Sequence, residues 1–191
     1  MNSRKILRAS LALCTTGLLF GSGVQAASAT GQADERGAQA AARVVTYDSS
    51  GAAEFKDAVT QGAAAWNESV KNVQLKPVQP GQRANIIVVA DNGWPRAQPT
   101  SLGNGRVWMG RQAVNEGHNT VRIASHELGH ILGLPDVKPG PCSSLMSGAS
   151  AGTSCTNQYP NAQEKASVER KFAGSKVYAR DVASKFALAV Y

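Results

Sequence analysis

The sequence predicts a single small α+β domain. From Arg43 onward, short β-branched runs alternate with amphipathic stretches in the order strand, helix, strand, strand, strand, helix. The stretch from Arg43 to Gly174, about 130 residues, is long enough for one core and too short for two. No internal repeat is visible.

The chain of 191 residues opens on MNSRKILRASLALCTTGLLFGSGVQAASA. Arg4, Lys5 and Arg8, an apolar run from Ala9 to Phe20 and small residues ending in Val24-Gln25-Ala26 have the three-part layout of a secretory signal peptide, too short for a membrane span. Cleavage is expected after Ala26, with Ala29 as second choice. Loss of residues 1–26 removes three basic side chains and lowers the formal charge from +7 to +4. No lysine or arginine cluster remains to grip nucleic acid, and no span remains to hold a membrane. Cys14 leaves with the signal. The remaining pair, Cys142 and Cys155, is expected to form a disulfide in an exported chain, worth about 3 kcal/mol in the chain-entropy picture. Residues 27–42, ASATGQADERGAQAAA, have no period that could bury a face and are expected to be a pro-segment or disordered leader.

The domain begins with RVVTY, a β-branched strand bounded by the turn-forming Asp48-Ser49-Ser50-Gly51. In EFKDAVTQGAAAWNESV, Phe55, Val59, Ala63, Trp66 and Val70 recur at helical spacing, which predicts a long helix with Phe55 and Trp66 in the core. VQLKPV and ANIIVVAD follow as strands, the second apolar enough for the middle of a sheet. A Pro/Gly-rich loop then leads to a short strand in GRVWMG, Gly105–Gly110. NAQEKASVERKFAG closes the domain as a helix capped by Asn161 and stopped at Gly174.

The chemistry lies in SHELGHILGLPD, Ser125–Asp136. Asn119 or Thr120 can cap a helix from Val121 to Leu132, and Gly133 can supply the left-handed residue beyond its end. At about 100° per residue, Val121, Ala124, Leu128, Ile131 and Leu132 gather on one side, while His126 and His130 lie together on the opposite one. Residues four apart on a helix are neighbours, so both imidazoles can reach one zinc ion. Glu127 points about 100° away from His126, which suits a general base rather than a ligand. Pro135 then fixes the backbone, and Asp136 arrives as a third, oxygen ligand. Two histidines and one carboxylate leave a coordination position open, the form of a catalytic site.

The stretch HELGHILGLPD resembles the extended zinc motif of the snapalysin family, small secreted neutral proteases of the metzincin clan in which aspartate replaces the usual third histidine. The likeness runs from about Arg43 to Gly174 through VVTYD, AAAWNESVKNVQL, GPCSSLMSG and SCTNQYPNAQE. It implies a compact metzincin-like fold: a mixed, mostly parallel twisted sheet with an antiparallel edge strand, a long active-site helix, a Met-turn and a carboxyl-terminal helix. It also implies a secreted zinc endopeptidase with His126, His130 and Asp136 as Zn2+ ligands and Glu127 as the acid/base. Met146 in SSLMSG matches the Met-turn, which the Cys142–Cys155 bridge would enclose. Protein or peptide substrates are implied, with large aromatic residues favoured on the amine side of the cut bond. Substrate is expected to pair with an exposed edge strand, assigned to GRVWMG (Arg106, Val107, Trp108, Met109), although that strand could equally just complete the sheet.

The resemblance implies a Ca2+ site as well, but Asn119 stands where the family has an aspartate ahead of the active helix, so the charge that favours calcium is missing. Calcium binding is left open. His118 is expected to be a loop residue. Glu164 or Glu169 would complete the zinc site only in a rival scheme with a downstream helical glutamate. Residues 175–191 are an extra helix, a trimmed tail or a docking segment. The chain is expected to be an extracellular monomer. The rival to an enzyme is an exported zinc-binding or pseudo-protease module without catalysis.

Overall fold

The computed structural model describes residues 42–174 and 189–190. The expected signal peptide, the leader up to Ala41 and most of the 175–191 segment lie outside these residues. Helix α1 is Lys56–Ser69, α2 Arg111–Asn115, α3 Thr120–Ile131 and α4 Ala162–Phe172. Strands β1 (Arg43–Gly51), β2 (Val73–Pro77), β3 (Ile86–Asp91), β4 (Arg96–Ser101), β5 (Asn104–Gly110) and β6 (Ala189–Val190) form one sheet in the order β2-β1-β3-β5-β4-β6.

The first four strands of that order run parallel, and β4 runs antiparallel to both β5 and β6. This is the mixed α+β architecture that the sequence and its resemblance imply. β1 and β2 can be parallel because α1 carries the chain back between them. β4 and β5 can be antiparallel because Leu102 and Gly103 turn the chain sharply, with Gly103 at φ 79°.

Alternate residues of the strands point to one face, where Val45, Tyr47, Val73, Leu75, Ile86, Val88, Ala97, Val107 and Met109 are buried. α1 and α3 belong to the same core, contributing Val59, Ala63, Trp66, Ile123, Leu128 and Ile131. The two helices approach closely at Gly62, where a Cβ would lie 2.8 Å from the Ser125 amide nitrogen. Nearby, the Trp66 indole N–H donates to the Ser125 carbonyl at 2.8 Å. Trp66 is thus a core residue that also fixes the rotation of α3.

Three expectations change. Residues 96–101 form strand β4 and not a loop; Pro99 hid it, because a proline cannot donate to the ladder and is tolerated mainly at a sheet margin. GRVWMG does form a strand, β5, but it pairs with β3 on one side and β4 on the other. Arg106, Val107, Trp108 and Met109 therefore present no free edge. β4 lies outside β5, with the two-residue β6 beyond it at Arg96 and Ala97, and the sequence hid this because strand order depends on which distant segments pair. β1 also continues through Asp48–Gly51, where a turn is expected.

Candidate metal centre

α3 starts where the Asn119 side chain accepts the Arg122 amide N–H at 2.9 Å. At its other end Gly133, at φ 91°, donates to the His130 carbonyl at 2.9 Å, and Leu134 donates to the Gly129 carbonyl at 3.0 Å. These two bonds satisfy the last carbonyls and reverse the chain at once. The reversal returns Asp136 to the histidine face.

There the three groups converge. His126 Nε2 and His130 Nε2 are 3.0 Å apart, and Asp136 Oδ1 lies 3.3 Å from the first and 3.5 Å from the second. Each histidine turns its other ring nitrogen to a backbone carbonyl, His126 Nδ1 to Leu145 at 3.0 Å and His130 Nδ1 to Leu134 at 2.8 Å. Those carbonyls hold the proton on Nδ1 and leave both Nε2 lone pairs facing the carboxylate. Three electron pairs aimed at one point are mutually repulsive unless a cation lies between them. Tetrahedral zinc with ligand bonds of about 2.0–2.1 Å separates its ligands by about 3.3 Å. The donor set and its spacing therefore fit a small divalent metal.

Residues 42–175 match the family described as the Streptomyces extracellular neutral proteinase (M7) family. The chain belongs to this family. Among its curated relatives, an extracellular small neutral protease of Streptomyces caespitosus is 43% identical over 131 residues, covering 68% of this chain and 96% of the relative. Proteins of the same name from Streptomyces sp. (strain C5) and Streptomyces coelicolor are 38% and 40% identical over 146 and 137 residues, covering 75% and 70% of this chain. The matches span 62% and 61% of those two longer relatives.

In this M7-family chain, burial lowers the His126 pKa to about 4, with the His130 charge adding to the effect and Asp136 opposing it. Half-burial works against the Asp136 carboxylate, but whenever a proton sits between it and an imidazole Nε2, the interactions with His126 and His130 prevail and hold it well below the usual range. Glu127 is pushed the other way: burial and then the Asp136 charge raise it well above an ordinary carboxyl, opposed by Lys138 and Arg96. Both Glu127 oxygens are buried without a hydrogen-bond partner among the described residues. A carboxyl buried in this way is costly for folding and is commonly reserved for chemistry.

The Met-turn segment lies beneath the helix. Met146 is fully buried, and a Cβ at Gly129 would come within 2.8 Å of its sulfur and 3.1 Å of Trp66 Cζ2. The glycine in HELGH thus lets the thioether and the indole close on the helix beside His130. Cys142 and Cys155 are disulfide-bonded with Cα atoms 5.5 Å apart, enclosing the turn.

Three further residues shape the surroundings of the site. Arg122 is buried on α3 and donates to the carbonyls of Asn157 at 2.6 Å and Ser144 at 2.8 Å, and to the Ser147 hydroxyl at 2.9 Å. Glu164 accepts from the Ser144 hydroxyl and the amides of Leu145, Met146 and Asn161. Lys138 Nζ lies 3.3 Å from Asp136 Oδ1 at the margin of the site. Only Glu164 left a trace in sequence, a glutamate three residues after the Asn161 cap.

Glu164 is thus occupied with the Met-turn, and Glu169 accepts from the Lys71 and Asn72 amides, so neither joins the histidines. Asn119 spends its carbonyl oxygen as the helix cap. His118 packs edge-on against Trp94 at 5.9 Å.

Proposed function

We propose that this chain is a secreted zinc-dependent endopeptidase. His126, His130 and Asp136 would hold the ion, and Glu127 would act as general acid and base. Bound zinc would supply Lewis acidity, making water more acidic and polarising a peptide carbonyl. Glu127, carried on the same helix, takes a proton on a carboxylate oxygen from the attacking water and passes it to the leaving amine nitrogen. α3 supplies rigidity, because both backbone carbonyls that orient the imidazoles lie within the fixed Met-turn and the helix reversal.

The observation that carries this reading is the buried Glu127 carboxylate, without a hydrogen-bond partner among the described residues, next to three ligand atoms spaced for a metal. A module that merely stored or displayed zinc has no use for it. The names of the relatives support an extracellular protease, and among the described residues no helix is long and apolar enough to cross a membrane. Purified mature protein should contain one zinc per chain, lose casein hydrolysis on chelation and regain it when zinc is added back. Hydrolysis that survives complete removal of metal would refute the proposal.

A further inference from the structure

We propose that the segment carrying Ala189 and Val190 competes with substrate for the outer edge of β4. The inference rests on the peptidase reading above. An outer strand offers a row of unpaired amides and carbonyls, and an extended peptide can add to it as a further strand. In this chain that place is taken from within: β6 pairs antiparallel with β4, Val190 opposite Arg96 and Ala189 opposite Ala97.

The pairing lies on the strand that packs beside α3. Arg96 is tied to Asp91 by an ion pair of 2.9 Å and stacks 4.5 Å from the Trp108 ring centre. β4 and β5 also pack against α3, since a Cβ at Gly105 would meet Pro99 at 2.9 Å and Ile131 Cδ1 at 2.8 Å. Ile131 directly follows His130. A strand laid along Arg96 and Ala97 thus takes up part of the same β4 edge that, at Pro99, borders the helix carrying the site.

The connection is short enough to make the contact intramolecular. α4 ends at Phe172, whose ring comes within 3.7 Å of a Cβ at Gly103, in the turn that follows β4. From that turn to Ala97 is about 20 Å along the strand, whereas the intervening chain of about seventeen residues can span more than 50 Å. Tethers of this length give effective concentrations of the order of millimolar. A pairing of two residues is weak, so the competition is partial. Occupancy of about a half to nine-tenths would raise the apparent KM about two- to tenfold and leave kcat unchanged.

The test is a full chain carrying Ala189→Pro and Val190→Pro. Adjacent antiparallel pairs alternate between bonded and non-bonded, so removing both amide hydrogens strikes whichever residue donates. Peptide hydrolysis and amide hydrogen exchange over Arg96–Ser101 are measured on this chain and its parent, with unchanged melting as the control for folding. A KM lowered two- to tenfold at constant kcat, with faster exchange over β4, supports the proposal; an unchanged KM or unchanged exchange overturns it. If neither chain cleaves peptide, the peptidase reading fails by itself. The competition is then decided by binding of a fluorescein-labelled casein peptide: tighter binding to the proline variant supports it, and equal binding overturns it.

Discussion

Two glutamates are buried in this domain, and they live differently. Glu164, at the start of α4, receives four hydrogen bonds and stitches the Met-turn to the Asn161 cap. Glu127, in the middle of α3, receives none. The first region has been built so that every buried polar atom of the carboxylate is matched, which is how a fold makes a buried charge tolerable. The second keeps its carboxylate unmatched beside His126, His130 and Asp136, and its raised pKa records the cost. The contrast separates a carboxylate that supports structure from one that the proposed function uses for proton transfer.

The largest effect should come from Glu127→Gln, which keeps the shape and removes the base. Casein hydrolysis is expected to fall about 10²- to 10⁴-fold with zinc content unchanged. Loss of zinc together with activity would instead make Glu127 a structural residue like Glu164, and the contrast would collapse. Glu164→Ala should act on stability: stranding the donors of Ser144, Leu145 and Met146 should cost about 3 kcal/mol in denaturant unfolding. A change under about 0.5 kcal/mol would mean that the turn is held without it.

Acid sharpens the comparison in the metal-depleted protein. Burial holds His126 near 4 in the folded chain against an ordinary 6.5, so the unfolded chain takes up a proton first as pH falls. This contribution to stability is fully present above about pH 6.5 and is lost between there and about 4, at up to about 1.4 kcal/mol per pH unit. Stability that stays flat from pH 7 to 4.5 would contradict it. The smallest expected effect is that of Gly129→Ala. Overpacking against Met146 and Trp66 costs about 1–3 kcal/mol and the better helix former returns about 1, leaving a net loss of about 1 kcal/mol measurable by thermal melting. A more stable variant would show that the Met-turn yields easily.

How much of this was visible in the chain depends on distance along it. α3, its Asn119 cap, the Gly133 reversal and the convergence of His126, His130 and Asp136 lie within one short stretch, where helical period and turn chemistry decide geometry. The same holds for the Asn161 cap of α4. β4 was invisible because Pro99 masks its strand character, and its outer position, taken instead for β5, depends on pairings between segments far apart in the chain. Arg122 carries no signal of its own in the sequence, yet it is buried on α3 because the segment of Ser144 and Ser147, to which it donates, covers it.

By itself the sequence determined the local parts: an amphipathic helix with two imidazoles on one side, a glycine that ends it and an aspartate returned to its face. Hydrogen-bond periodicity and backbone sterics act over a few residues, so neighbours in the chain suffice to specify them. Only the tertiary structure decided which glutamate is satisfied and which is not, which strand lies outermost and what pairs with it. Those outcomes are set by packing and by hydrogen bonds between segments that meet only once the chain has folded.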